Sequence, residues 1–253
     1  MRGSKVHTRS RPRAGQRILG GAGEILITLG LILLLFVAWE LWWTNIDADK
    51  SQADVTRDLV QGFKSGTSGK PSTSGKPSDA GIMIEGQAFG IMYIPRFGKD
   101  NAHPVTHGVG PEVLDKVGIG HYPGTQMPGE IGNFAVAAHR QTHGQVFWDI
   151  DKLVDGDKVY VQTLDGFFTY GYKRTTIVDP SRNDVLYPVP MEPGVEPAVA
   201  TLTLTSCHPP FTTRERIIAF AELESKTPAG SEPPAEIADT VAKLFKDTKE
   251  GGK

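Results

Sequence analysis

Thr201–Leu223 reads TLTLTSCHPPFTTRERIIAFAEL, and the fold is decided by how this stretch is read. Apolar and β-branched residues alternate through Thr201–Cys207, the period-2 pattern of a strand. Thr203, Thr205 and Cys207 fall on one face and Leu202, Leu204 and Ser206 on the other. His208-Pro209-Pro210 then removes two backbone donors and stops the ladder. A second alternating run, Arg216–Leu223, re-enters the sheet through its arginine, and a hairpin-like return brings that guanidinium back toward the sulfur. The only cysteine of the chain therefore ends a strand, where side chains meet solvent. Free cysteine is among the most buried residue types, so the surrounding segments must decide between an inert and a reactive thiol.

Upstream, the same short-strand pattern repeats. Strands are expected over Ile82–Ile84, Phe89–Ile94, Phe134–Ala138, Val159–Thr163 and Phe167–Thr176, with a brief helix around Val113–Val117. Gly118–Thr125 (GIGHYPGT) reads as a turn-rich loop, Val154–Lys158 as a turn, and Ile177–Pro197, with five prolines, as mostly loop. His139 leaves the Phe134–Ala138 strand just as Cys207 leaves its own. Closely spaced strands, 18 Pro and 29 Gly argue for an all-β barrel or sandwich rather than βαβ units.

The amino terminus is of another kind. Six basic residues and no acid lie in Met1–Arg17, and Ile25–Trp39 is apolar apart from Thr28 and Gly30. Residues 18–43 suffice to span a bilayer with Glu24 and Glu40 at its edges. No small-x-small cleavage pattern follows, and Trp39, Trp42 and Trp43 suit an interfacial aromatic belt, so an uncleaved anchor is expected in place of a signal peptide. The division expected is a basic cytoplasmic segment (1–17), an anchor (18–43), an outward-facing linker (44–81), a catalytic domain (82–223) and a polar tail (224–253). Within the linker, Asp47–Phe63 has sparse apolar positions for a helix, and TSGKPS, written twice over Thr67–Ser78, reads as a solvated tether. In the tail, Ile237, Val241, Leu244 and Phe245 share one face of a possible helix. Beyond Arg17 there remain 21 basic residues against 29 acidic ones, which argues against nucleic-acid binding. An exported chain with one cysteine has no intramolecular partner for it, which favours a working thiol.

A thiol nucleophile needs a base or cation beside it, and a developing oxyanion needs a fixed donor. AAHR at Ala137–Arg140, TLTSCHP at Thr203–Pro209 and the arginine opening the next strand together resemble the sortases, the membrane-anchored cysteine transpeptidases of Gram-positive bacteria. The resemblance covers roughly 82–223; Ala138 stands where that family usually has glycine. Cys-His-Pro and GIGHYPGT are most similar to class E sortases of actinobacteria. The lid motif and C-terminal membrane helix of the class C pilin-polymerising enzymes are not evident.

The resemblance implies an eight-stranded sortase-type β-barrel with short helices and a catalytic trio of Cys207, His139 and Arg216. It implies thiolate attack between Thr and Gly of a C-terminal LAxTG- or LPxTG-like sorting signal on secreted proteins, a thioacyl enzyme, and transfer to an amine of lipid II or peptidoglycan. Arg214 competes with Arg216, because alternation places both on one face; Arg216 is preferred because it directly precedes Ile217–Ala221, as the family arginine does. Tyr122 and Thr205 are expected to touch the signal; packing on the rim and filling a β-branched position are their bland alternatives. His139 and His143 stand at i, i+4, but the glutamate of H-E-x-x-H is missing and the pattern is strand then loop. No metal and no cofactor are therefore expected, and Asp149, Asp151, Asp155 and Asp157 read as surface turn acids. A hydrolytic cysteine peptidase, a class C-like pilin polymerase and an anchored binding domain with an inert thiol are the alternatives.

Overall fold

The computed structural model describes residues 14–66 and 84–250. The TSGKPS tether, most of Met1–Arg17 and all but the last residue of Ile82–Ile84 lie outside them. The strands are β1 (Ala88–Tyr93), β2 (Ala102–His107), β3 (Ile119–His121), β4 (Gly132–Ala137), β5 (Lys158–Thr163), β6 (Gly166–Val178), β7 (Ala200–His208) and β8 (Glu215–Pro228). They close into a barrel in the order β1-β2-β3-β4-β7-β8-β6-β5. Closure leaves no free edge to recruit another chain. Two neighbouring pairs, β2 with β3 and β4 with β7, run parallel; the others are antiparallel.

Alternation sorts the side chains. Leu202 and Leu204 of β7, Phe134 and Val136 of β4, and Val159 and Val161 of β5 fill the interior with Met92, Phe147 and Tyr170. Burying each such aliphatic side chain contributes about 1.5–3 kcal/mol against conformational entropy. The opposite faces of β1, β5 and β6 carry a second cluster, with Ile91, Tyr93, Tyr160 and Phe167 packed under helices. One helix is the later part of α1 (Ala14–Ser65), which contributes Leu59 and Val60; the other, α3 (Ala238–Glu250), contributes Val241, with Ile237 just ahead of it.

The sparse apolar positions of Asp47–Phe63 therefore suffice. Ala48, Gln52, Thr56, Leu59 and Val60 recur every three or four residues as one buried stripe, and Thr44–Lys253 is one compact unit. The tail is likewise attached: Thr240 Oγ1 donates to the Lys99 carbonyl at 2.8 Å and Lys243 pairs with Asp100 at 2.8 Å. The other unit, Met1–Trp43, contains Gly20–Trp39, long and apolar enough to cross a membrane and with no residue buried.

Two strands depart from the sequence expectation. β3 lies inside the expected loop Gly118–Thr125, because Gly120 has no Cβ; one would stand 2.3 Å from the Gly108 carbonyl oxygen. β2 carries Pro104, which pairs with Ile91 of β1, while the ladder to β3 starts only at Val105. The missing N–H thus falls where one flank has no partner strand.

Candidate active site

Parallel pairing of β4 with β7 places the ends of both strands side by side. Ala135 faces Thr203, Val136 faces Leu204 and Ala137 faces Thr205. Beyond the ladder, Ala138 N donates to the Thr205 carbonyl at 3.2 Å and Ser206 Oγ donates to the Ala138 carbonyl at 2.8 Å. His139 and Cys207 are the next residues on each chain, carried out of the barrel by neighbouring exits. Leu202 and Leu204 point into the core, so the Thr203–Thr205–Cys207 face is the outer one, and the thiol is partly exposed.

Arg216 stands directly opposite Cys207 in the β7–β8 ladder. Directly opposed residues share a face, with backbones about 4.5–5.5 Å apart. Its Nη1 donates to the Thr213 and Glu215 carbonyls at 3.1 and 3.0 Å, which fixes the root of the guanidinium. Arg214 lies before β8 and is exposed. Arg216, Tyr122 and Thr205 line one cleft of about 70 Å³ whose far wall is Val178–Leu186, between β6 and β7. Tyr122 OH and Thr205 Oγ1 are 3.0 Å apart. That wall is held down through Asn133, whose Nδ2 donates to the carbonyls of Val185 and Tyr187 at 3.0 and 3.1 Å while its Oδ1 accepts from Thr203 Oγ1 at 2.7 Å. All five residues singled out from sequence thus belong to the strand ends and the adjoining cleft.

Four further residues surround these, of which the sequence had singled out only His143, as a rejected metal ligand. Asp115, which closes the short helix α2 (Pro111–Leu114), places Oδ1 2.7 Å from His139 Nε2. A carboxylate in that position orients the ring, as the third member of a nucleophile–base–orienter set does. The His143 ring lies tilted against that of His139, centroids 5.0 Å apart and planes at 34°, with Nδ1 3.8 Å from the same carboxylate oxygen. Arg140 is 2% exposed; its Nη1 donates to His208 Nδ1 at 2.7 Å and its Nη2 pairs with Asp151 at 2.9 Å. That bond makes Nδ1 of His208 the acceptor and Nε2 its N–H. No pattern at fixed spacing marks Asp115. Arg140 and His208 were visible only as neighbours of the dyad.

The strand ends thus carry a thiol, an imidazole oriented by a carboxylate, and a guanidinium that also lines a small cleft, residue types able to carry acyl transfer through a thioester. Fold and site together define the class of cysteine transpeptidases built on a closed eight-stranded barrel. The chain belongs to the sortase family, whose sortase domain matches residues 92–224. Sortase SrtE1 of Streptomyces coelicolor is 34% identical over 91% of this chain and 66% of its own length, and SrtE2 of the same organism is 33% identical over 90% and 92%. Among solved structures, sortase E from Streptomyces avermitilis superposes with a TM-score of 0.55 at 40% identity, covering 61% of this chain and 99% of that one. Sortase E1 from Streptomyces coelicolor, solved with a tripeptide in its active site, gives 0.55 at 35% identity over 60% and 96%.

Proposed function

We propose that this sortase is a membrane-anchored transpeptidase of the class E kind, cleaving LAxTG-like signals between Thr and Gly and passing the acyl group to a cell-wall precursor amine. The observation that supports this reading is the parallel pairing of β4 with β7, whose ends lead into His139 and Cys207, with Arg216 opposite Cys207 in the β7–β8 ladder. The tripeptide in the related sortase E1 supports a peptide ligand for the corresponding cleft. Gly20–Trp39 would serve as the anchor, with the basic amino terminus inside the cell and the barrel outside.

In this mechanism the signal lies in the cleft of Tyr122, Thr205 and Arg216. The Cys207 thiolate attacks the Thr carbonyl, and the Arg216 guanidinium stabilises the oxyanion. His139, oriented through Nε2 by Asp115, donates a proton to the departing glycine amine. An acceptor amine then enters, gives a proton to His139, attacks the thioester and expels the thiolate.

The test is incubation of the purified chain with LAxTG and LPxTG peptides, with and without a glycine-peptide amine, followed by mass spectrometry. Expected are a thioacyl adduct on the wild-type protein, no adduct on Cys207→Ala, and an amide product when amine is present. Hydrolysed product alone at saturating amine would replace the transpeptidase by a cysteine peptidase. Equal adduct on Cys207→Ala would end the proposal.

A further inference from the structure

Asp115, His139 and His143 form a set that the active-site chemistry does not fully use. One carboxylate oxygen and one nitrogen from each ring all lie within 4.8 Å of one another. His139 Nε2 is 2.7 Å and His143 Nδ1 3.8 Å from the same oxygen of Asp115. His143 Nδ1 is shut off from solvent yet has no hydrogen-bond partner, an unfavourable state for a buried polar group. The ring is nonetheless held there. His143 adopts φ 50°, its carbonyl accepts from Gln52 Nε2 at 3.3 Å, and the next amide, Gly144 N, donates to Asn45 Oδ1 at 3.0 Å. Two contacts from the later part of α1 therefore fasten a loop that aims an unsatisfied nitrogen at a carboxylate.

Tetrahedral zinc bonds His nitrogen and carboxylate oxygen at about 2.0–2.2 Å, which sets ligand atoms about 3.3–3.5 Å apart. The separations present, 2.7 and 3.8 Å with none above 4.8 Å, lie on either side of that spacing, within reach of side-chain adjustment. The expectation that no metal binds rested on spacing along the chain, where the H-E-x-x-H glutamate is lacking. Asp115 supplies the carboxylate from 24 residues before His139. Two imidazoles and one carboxylate with a fourth position open to water suit a borderline-soft divalent ion such as Zn²⁺ rather than Ca²⁺ or Mg²⁺.

We propose that Asp115, His139 and His143 bind a divalent transition-metal ion, and that binding reversibly switches off transfer by capturing His139. A metal on Nε2 takes the ring's lone pair and leaves Nδ1 as an N–H that is a very weak acid, so the imidazole no longer exchanges a proton with substrate. His143 is then the inhibitory ligand: it belongs to the metal site and has no step in the transfer reaction. The inhibitory half rests on the role given to His139 above, and the binding half does not.

The binding arm uses the untagged full chain in detergent, carrying Cys207→Ala so that the thiol cannot ligate, titrated with Co²⁺ by visible absorption and with Zn²⁺ by calorimetry. One ion per chain is expected, with tetrahedral Co²⁺ bands, and the double variant with His143→Asn, a residue that tolerates positive φ, should bind at least tenfold more weakly. The activity arm measures signal-peptide cleavage against Zn²⁺ concentration. Wild type should be inhibited and recover with chelator, whereas His143→Asn, measured against its own metal-free rate, should need at least tenfold more Zn²⁺ for the same fractional inhibition. No binding to Cys207→Ala, or equal Zn²⁺ sensitivity in wild type and His143→Asn, would overturn the site. If no peptide is cleaved by any form, the functional reading fails while the binding arm still gives its answer.

Discussion

Arg140 Nη1 donates a 2.7 Å hydrogen bond to His208 Nδ1, so the residue after the proposed acid–base histidine is bonded to the residue after the proposed nucleophile. The guanidinium is buried, and its other arm reaches Asp151 at 2.9 Å. Neither group needs to touch substrate for this bond to govern the reaction. It holds two chain exits in one relative position, and acyl transfer is sensitive to ångström-scale misplacement.

Arg140→Lys keeps the charge and loses the fork. Turnover is expected to fall about 10- to 100-fold with KM nearly unchanged, at temperatures far below unfolding, since a 1 Å misplacement costs about 100-fold. Steady-state kinetics together with a thermal melt separate this from simple destabilisation. A variant with lowered Tm and normal kcat would reduce Arg140 to a structural residue.

Arg216→Ala is expected to lower kcat by about 100- to 1000-fold, the usual loss for one oxyanion donor, while Arg214→Ala should stay within about twofold of wild type. Only Arg216 faces Cys207 across the ladder and lines the cleft. Peptide cleavage rates decide; equal losses at both positions would mean that the arginine matters only as surface charge.

Stability should fall with acid through buried histidines. His103, hydrogen-bonded through Nδ1 to Gln52 Oε1 at 2.9 Å, is pushed down to about 4 by burial. His121 is likewise pushed down to about 4, first by burial and then by the neighbouring His107. The unfolded chain takes up these protons near pH 6.5 and the folded one only near 4. Stability is therefore full above about pH 6.5, declines as pH falls between about 6.5 and 4, and levels below that; the His103 share is about 3 kcal/mol at most. Urea titrations at pH 7.5 and 5 should show a smaller difference for His103→Gln than for wild type. An identical difference would remove His103 from the account.

Leu59→Ala empties a position that is 2% exposed under the barrel wall. The expected cost is about 2–4 kcal/mol, with the transition remaining cooperative because Thr44–Lys253 is one unit. A loss below about 0.5 kcal/mol would show that this part of α1 is not integral to the domain in solution.

Much of the architecture was legible because alternation has a fixed physical cause. In β7 alternate side chains face the barrel interior, and the run TLTLTSC follows that period, apolar inward and β-branched outward, although both faces are buried. Phe134–Ala138 and Val159–Thr163 were readable as short apolar or β-branched runs, buried on both faces. β2 and β3 were not: Pro104 and Gly120 look like strand breakers, and they are tolerated only because of what lies beside them, an unpaired flank and the Gly108 carbonyl. The helix over Asp47–Phe63 was underestimated because Gln52 and Thr56 count as polar in sequence and are buried in fact.

By itself the sequence determined that the chain carries an apolar amino-terminal segment, a β domain with one strand-end thiol, a histidine leaving one strand and an arginine opening another. These are local facts, set by composition and period, and they need no knowledge of neighbours. Which strands adjoin was left to the tertiary structure. The parallel meeting of β4 and β7, the arrival of Asp115 at His139, and the bond from Arg140 to His208 join residues far apart along the chain. Closure of the barrel brings them together, and that closure is set by the packing of many side chains at once.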